Sequence, residues 1–122
     1  MGLLEGLRIL VLEDEFLIAM DVEQICRDAG AADVVLARTL EEAEAFCSES
    51  TFDAAVVDIF LGQQSTFAFA SSLKARGTPF IFASGYSDLG ENAAEFADVT
   101  VVGKPYEETE LVKALAASRL KA

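Results

Sequence analysis

The sequence predicts an α/β protein built on an open, parallel, doubly wound sheet, and two observations carry that prediction. Five short apolar runs alternate with helix-patterned segments from one end of the 122-residue chain to the other. Strict alternation of this kind means parallel strands joined by right-handed crossovers. The length holds five such repeats and little else, which points to a three-layer sandwich of flavodoxin-like strand order 2-1-3-4-5. The expected organisation is a single domain over residues 1–122, and Met1 with the closing helix fits a complete chain.

The strand candidates are Leu7–Leu12, Asp33–Ala37, Asp53–Val57, Pro79–Ala83 and Val99–Val102. After the first, Ile18, Val22, Ile25, Cys26 and Ala29 keep helical spacing and Gly30 supplies the stop. Thr39 and Glu42 have capping-box spacing and open a second helix with Ala43, Phe46 and Cys47 inward. A third helix is expected from Ser65 to Ala75, with Phe67, Ala70 and Leu73 inward and Gly77 ending it. A short fourth helix is expected over Glu91–Phe96, its apolar face only Ala93, Ala94 and Phe96. The last, Glu107 to Leu120, carries acids in its first turn and Arg119 and Lys121 at its end, matching the helix dipole.

Composition removes several function classes. Hydrophobic residues make up 52% of the chain, which argues against disorder. No apolar run reaches the roughly 18–20 residues of a membrane-spanning helix. The amino end has no secretory leader pattern, so a cytoplasmic location with no membrane partner is expected. The net charge of −12, with Lys and Arg scattered, speaks against a nucleic-acid partner. The chain has no His, which excludes His-ligand zinc sites, His-based triads and a phosphohistidine of its own. Cys26 and Cys47 lie in helical apolar patterns without CxxC spacing and read as reduced, buried thiols.

Chemistry gathers at the strand ends. Glu13-Asp14 follow the first apolar run, Asp58 the third, Ser84 the fourth and Lys104 the fifth. In the predicted order the first and third strands are neighbours about 4.8 Å apart, and ligands bind at the carboxyl edge of such sheets. Taken singly, each residue has a structural explanation. A strand-end Asp caps a turn, an acidic pair complements a helix N-terminus, and Lys-Pro or Ser-Gly marks a turn. Their joint placement on one edge is what points to chemistry. Crowded carboxylates need a cation, and hard oxygen ligands of this kind suit Mg²⁺. Lys104 would add a second positive charge, Ser84 a hydroxyl for a phosphoryl oxygen, and Asp58 a carboxylate nucleophile able to form an acyl phosphate.

These residues resemble the bacterial response-regulator receiver domain over nearly the whole chain. The acidic pair is Glu13-Asp14, the phosphoacceptor position Asp58, the hydroxyl Ser84, and the lysine Lys104 followed by Pro105. The stretch from Pro79 to Tyr86 resembles the "FAT GUY" subgroup, with Ser84 in place of Thr and Tyr86 directly after Gly85. The resemblance implies a single-domain phosphoacceptor without an output domain, often tied to general stress signalling. It would accept phosphate from a histidine kinase or histidine phosphotransfer protein and signal through a downstream protein partner. It also implies Mg²⁺ bound by Asp14, Asp58 and the main-chain carbonyl of Phe60, with Glu13 acting through water or holding the metal's shell, and a cis Lys104-Pro105 bond.

Two departures stand out. Val101 occupies the place of the usual switch aromatic, so Tyr86 is expected to share the switch role with Ser84. The segment after Asp58 lacks the Pro common in the family, which implies a more mobile loop. A Mg²⁺-dependent phosphohydrolase is the chief rival, yet Phe60 stands where such enzymes carry a second acid. A flavin- or nucleotide-binding module would need glycines and hydroxyls where the chain has Glu13-Asp14-Glu15. A receiver that docks without being phosphorylated is a third alternative. The expected protein is therefore not an enzyme, beyond slow self-phosphorylation and self-dephosphorylation.

Overall fold

A computed structural model describes residues 2–84, 89–104 and 106–121. Its main sheet has strands β1 (Arg8–Leu12), β2 (Asp33–Ala37), β3 (Ala54–Asp58), β6 (Phe80–Ser84) and β7 (Val101–Gly103), all parallel, in the order β2-β1-β3-β6-β7. This is the predicted flavodoxin-like arrangement. Helices α1 (Phe16–Asp28), α2 (Leu40–Glu49), α3 (Phe67–Arg76) and α4 (Glu108–Ser118) cover its two faces.

The strand sequences explain the position of each strand. Every residue of the central strands β3 and β6 is buried, as parallel strands covered on both faces must be. Alternate side chains feed two separate cores. Ile9, Val11, Ala54, Val56, Ile81 and Val102 pack with Val22, Ile25 and Cys26 of α1 and Leu111 and Leu115 of α4. Leu10, Leu12, Ala55, Val57, Phe80 and Phe82 pack with Ala43 of α2 and with Phe69, Ala70 and Leu73 of α3. The α1 stop is a Schellman turn: Gly30 takes φ of 100°, its N–H donates to Arg27, and Ala31 N–H donates to Cys26.

Three segments differ from expectation. The capping box of α2 is half formed. Thr39 Oγ1 accepts from Glu42 N–H at 3.1 Å, but the Glu42 carboxylate accepts from Arg38 N–H at 2.7 Å, one residue earlier than the box predicts. The expected loop after Asp58 is a β-hairpin, β4 (Phe60–Leu61) with β5 (Gln64–Ser65). Gly62 has φ of 63° and no described non-glycine residue has positive φ, the pattern of a type II′ turn. The hairpin draws Gln64 and Ser65 into a strand, so α3 starts at Phe67 rather than Ser65.

The expected fourth helix is not one. Gly90–Asn92 form a single 3₁₀ turn, and further turns follow up to Asp98. Ala93 and Ala94 are exposed and Phe96 alone of the three is buried. One anchor does not make the apolar stripe that holds a helix in place. Phe96 instead enters an aromatic cluster, edge-on to Phe82 at 5.1 Å and stacked with Phe67 at 5.8 Å. Val99 N–H donates to Phe96 carbonyl at 3.0 Å, closing the last turn of this segment, and β7 starts at Val101.

Candidate functional site

Register alone assembles the rim. Leu12 pairs with Val57, Asp58 with Ala83, and Ser84 with Gly103. Glu13 and Asp58 therefore leave the sheet side by side, and Ser84 and Lys104 follow from the next two strands. The strand end is anchored by Glu13 N–H donating to Ala37 carbonyl, and Lys104 N–H donates to Ser84 carbonyl at 2.9 Å.

Side chains close the site. Lys104 Nζ donates to Glu13 Oε1 at 2.7 Å and to Asp58 Oδ2 at 2.9 Å, joining residues 91 and 46 positions apart. Glu13 is only 2% exposed, and Glu15 N–H donates to its other oxygen at 3.1 Å. Asp58 is 7% exposed, and Phe60 N–H approaches its Oδ1 at 3.4 Å. Ser84 is buried at the end of β6, and Asp14 is half-buried beside Glu13. Tyr86 and Pro105, with the cis bond expected before Pro105, lie outside the described residues.

Burial sets the electrostatics. Desolvation pushes the Glu13 carboxyl up to about 7, against the Lys104 ammonium and the Glu15 N–H that favour its charged form; the neighbouring Asp58 adds to the rise. For Lys104, burial works to lower the pKa, but hydrogen bonds to Glu13 and Asp58 and their charges outweigh it and raise the ammonium above its ordinary range. Charge is thus concentrated rather than cancelled. Two acidic side chains share one ammonium, and a third, Asp14, lies beside them.

The donor set fits a hard divalent cation. One carboxylate oxygen each from Glu13, Asp14 and Asp58 falls within 4.8 Å of the others, and all three are the oxygen type that Mg²⁺ takes. The hairpin matters here. Thr66 N–H donates to Ile59 carbonyl at 3.0 Å, a ladder bond. In an antiparallel pair the next position, Phe60 opposite Ser65, is a non-hydrogen-bonded one. Phe60 carbonyl is thereby left out of the ladder.

Thr66 is the residue the sequence reading passed over. It is 0% exposed, and its Oγ1 donates toward Asp58 carbonyl at 2.5 Å and Ile59 carbonyl at 3.1 Å. A Ser-Thr pair ahead of an apolar helical run signals a helix start, and nothing in that pattern shows the hydroxyl turning back to the preceding strand.

A parallel five-stranded sheet with acids, a hydroxyl and a lysine at one rim defines a signalling domain of receiver type. The family model described as the response regulator receiver domain matches residues 9–116, and the chain belongs to that family, in two-component signalling. Among solved structures it is similar to Vibrio cholerae chemotaxis protein CheY4, at 22% identity and TM-score 0.80, covering 93% of this chain and 98% of that one. It is also similar to a substituted form of the anti-anti-sigma factor PhyR from Bartonella quintana, at 27% identity and TM-score 0.74, covering 95% of this chain and 49% of that one. The PhyR stress response regulator matches at 24% identity and TM-score 0.69, covering 94% and 45%. No curated protein sequence matches the chain at a significant level. Among the described residues, no helix is long and apolar enough to cross a membrane.

Proposed function

We propose that the chain is a phosphoacceptor: Asp58 takes a phosphoryl group from a phosphohistidine on a histidine kinase or phosphotransfer protein, and the modified domain signals by protein contact. The supporting observation is the convergence of Glu13, Asp14 and Asp58 with Lys104 at one strand-end rim. Asp14, Asp58 and the Phe60 carbonyl would hold Mg²⁺, with Glu13 behind them. Bound there, Mg²⁺ supplies charge that shields the carboxylates from the incoming group and steadies its equatorial oxygens.

The chain's own residues do the rest. Lys104 fixes the orientation of the Asp58 carboxylate through Oδ2. An Asp58 oxygen forms the new P–O bond as the N–P bond of the donor breaks; the imidazole keeps the electron pair and takes a proton from solvent. Ser84 and Lys104 then bond the phosphoryl oxygens, whose added charge of about −1.5 to −2 redistributes this edge. Tyr86 shares the switch role, because Val101 on β7 has no ring to turn. Phe60 offers no proton to a leaving group, so turnover is slow rather than enzymatic. The similarity to PhyR proteins, one named a stress response regulator and one an anti-anti-sigma factor, supports a place in general stress signalling.

The test is incubation with acetyl phosphate and Mg²⁺, read by intact mass. Wild type should gain one phosphoryl group and Asp58→Asn none. A phosphorylated Asp58→Asn protein would refute the assignment.

A further inference from the structure

We infer that Thr66 is a positioning residue for the phosphoacceptor: its buried hydroxyl grips the main chain at Asp58 and Ile59, so that the Asp58 carboxylate and the Phe60 carbonyl are presented together at the rim. The inference rests on the phosphoacceptor reading and adds a residue to its machinery.

Four observations carry it. Among the described residues the buried polar side chains are Glu13, Asp58, Ser84 and Thr66. Three of them are rim groups, and the fourth bonds to the backbone of the third strand's end. A hydroxyl taken fully out of water is retained only where it has a partner, and here the partners are the carbonyls of Asp58 and the residue after it.

Thr66 also stands at the N-cap of α3 without capping it. Its side chain accepts from no N–H of the first turn, unlike Thr39 at the start of α2. A Thr cap stabilises a helix by about 1 kcal/mol, and α3 forgoes that contribution while the hydroxyl turns back to β3. The residue is nonetheless committed to α3, because its carbonyl accepts from Ala70 N–H at 2.9 Å. One side chain thus ties the first turn of α3 to the strand that carries Asp58.

The hairpin gives this tie a geometric consequence. Thr66 bonds Ile59 carbonyl twice, from its N–H and from its hydroxyl, and Asp58 carbonyl once. With those two carbonyls turned toward Thr66, the next peptide, at Phe60, is the one left outside the ladder. Its N–H reaches Asp58 Oδ1. The hydroxyl therefore sets the direction of the peptides on which both the reactive carboxylate and a main-chain oxygen depend. Groups that orient a metal ligand typically change affinity or activity about 10–100-fold when removed.

The experiment compares wild type with Thr66→Val, Thr66→Ala and Thr66→Ser. Two readouts are taken: Mg²⁺ affinity from amide shifts of Ile59 and Phe60, and the rate of phosphorylation by acetyl phosphate. Thr66→Val and Thr66→Ala should lower both by about 10–100-fold, and Thr66→Ser should restore most of both. Wild-type Mg²⁺ affinity and rate in Thr66→Val would overturn the inference, as would Thr66→Ser behaving like Thr66→Val. If both Thr66→Val and Thr66→Ala fail to fold, the hydroxyl serves stability and the positioning role falls. A wild type that takes up no phosphoryl group sinks the phosphoacceptor reading separately, because the Mg²⁺ titration is read without phosphate.

Discussion

Lys104→Met should destabilise the metal-free protein strongly at pH 8 and much less at pH 5.5. Its ammonium is the cation bonded to both Glu13 and Asp58, at 2.7 and 2.9 Å. At an effective dielectric of about 20, each contact is a gross attraction of about 6 kcal/mol. Desolvating the three groups consumes most of that, and removal of one partner from a buried pair typically costs about 3–5 kcal/mol. The cost depends on pH because Glu13 can take a proton. Its carboxyl is already held near 7 by burial, and without the ammonium it rises further. At pH 5.5 the variant would bury a neutral acid beside Asp58; at pH 8 it must either bury the Glu13 carboxylate without its cation or hold a proton that the unfolded chain has released. The assay is urea unfolding in EDTA at the two pH values, with a loss of about 3 kcal/mol at pH 8, roughly 10 °C in Tm. Mg²⁺ should recover part of the loss. Equal stability of variant and wild type at pH 8, or the same loss at both pH values, would refute the reasoning.

The wild type should show the same linkage more gently. Glu13 binds a proton more tightly folded than unfolded, so between about 4.5 and about 7 the folded chain holds more protons and metal-free stability from this group declines as pH rises. Glu13→Gln should flatten that slope and stabilise the metal-free protein at pH 8 but not at pH 4.5, read by thermal unfolding in EDTA. Phe96→Ala should cost about 3–5 kcal/mol and accelerate amide exchange across residues 90–99, because that ring anchors a segment with no helix of its own. Thr39→Ala should cost about 1 kcal/mol by removing the α2 cap, without changing Mg²⁺ affinity.

The strands and their order were legible because each carries a short cluster of apolar residues, and the sheet's edge chemistry followed from what comes after each cluster. Asp33–Ala37 is observed over the predicted span, and Asp58 is the last residue of β3 rather than the first beyond it. What could not be read were relations between residues distant in sequence. The bond from Lys104 to Glu13 is one such relation, a contact decided by strand register. The hairpin over residues 60–65 has no apolar alternation to announce it; a single Gly62 at the turn is its only local signal. The expected helix at Glu91–Phe96 failed because two small alanines and one Phe cannot bury a face, and the Phe found an aromatic cluster instead. Thr66 shows the same limit most plainly, since the direction of its hydroxyl depends on a strand already folded.

The most direct measurement of the central claim is an NMR titration with Mn²⁺, which takes Mg²⁺ sites and broadens nearby amides. Substoichiometric Mn²⁺ should broaden Glu13, Asp14, Ile59 and Phe60 first, leave the acidic face of α2 at Glu41 and Glu44 sharp, and lose its effect in Asp58→Asn. Broadening spread over the helix acids, or unchanged in Asp58→Asn, would contradict a cation held beside the phosphoacceptor.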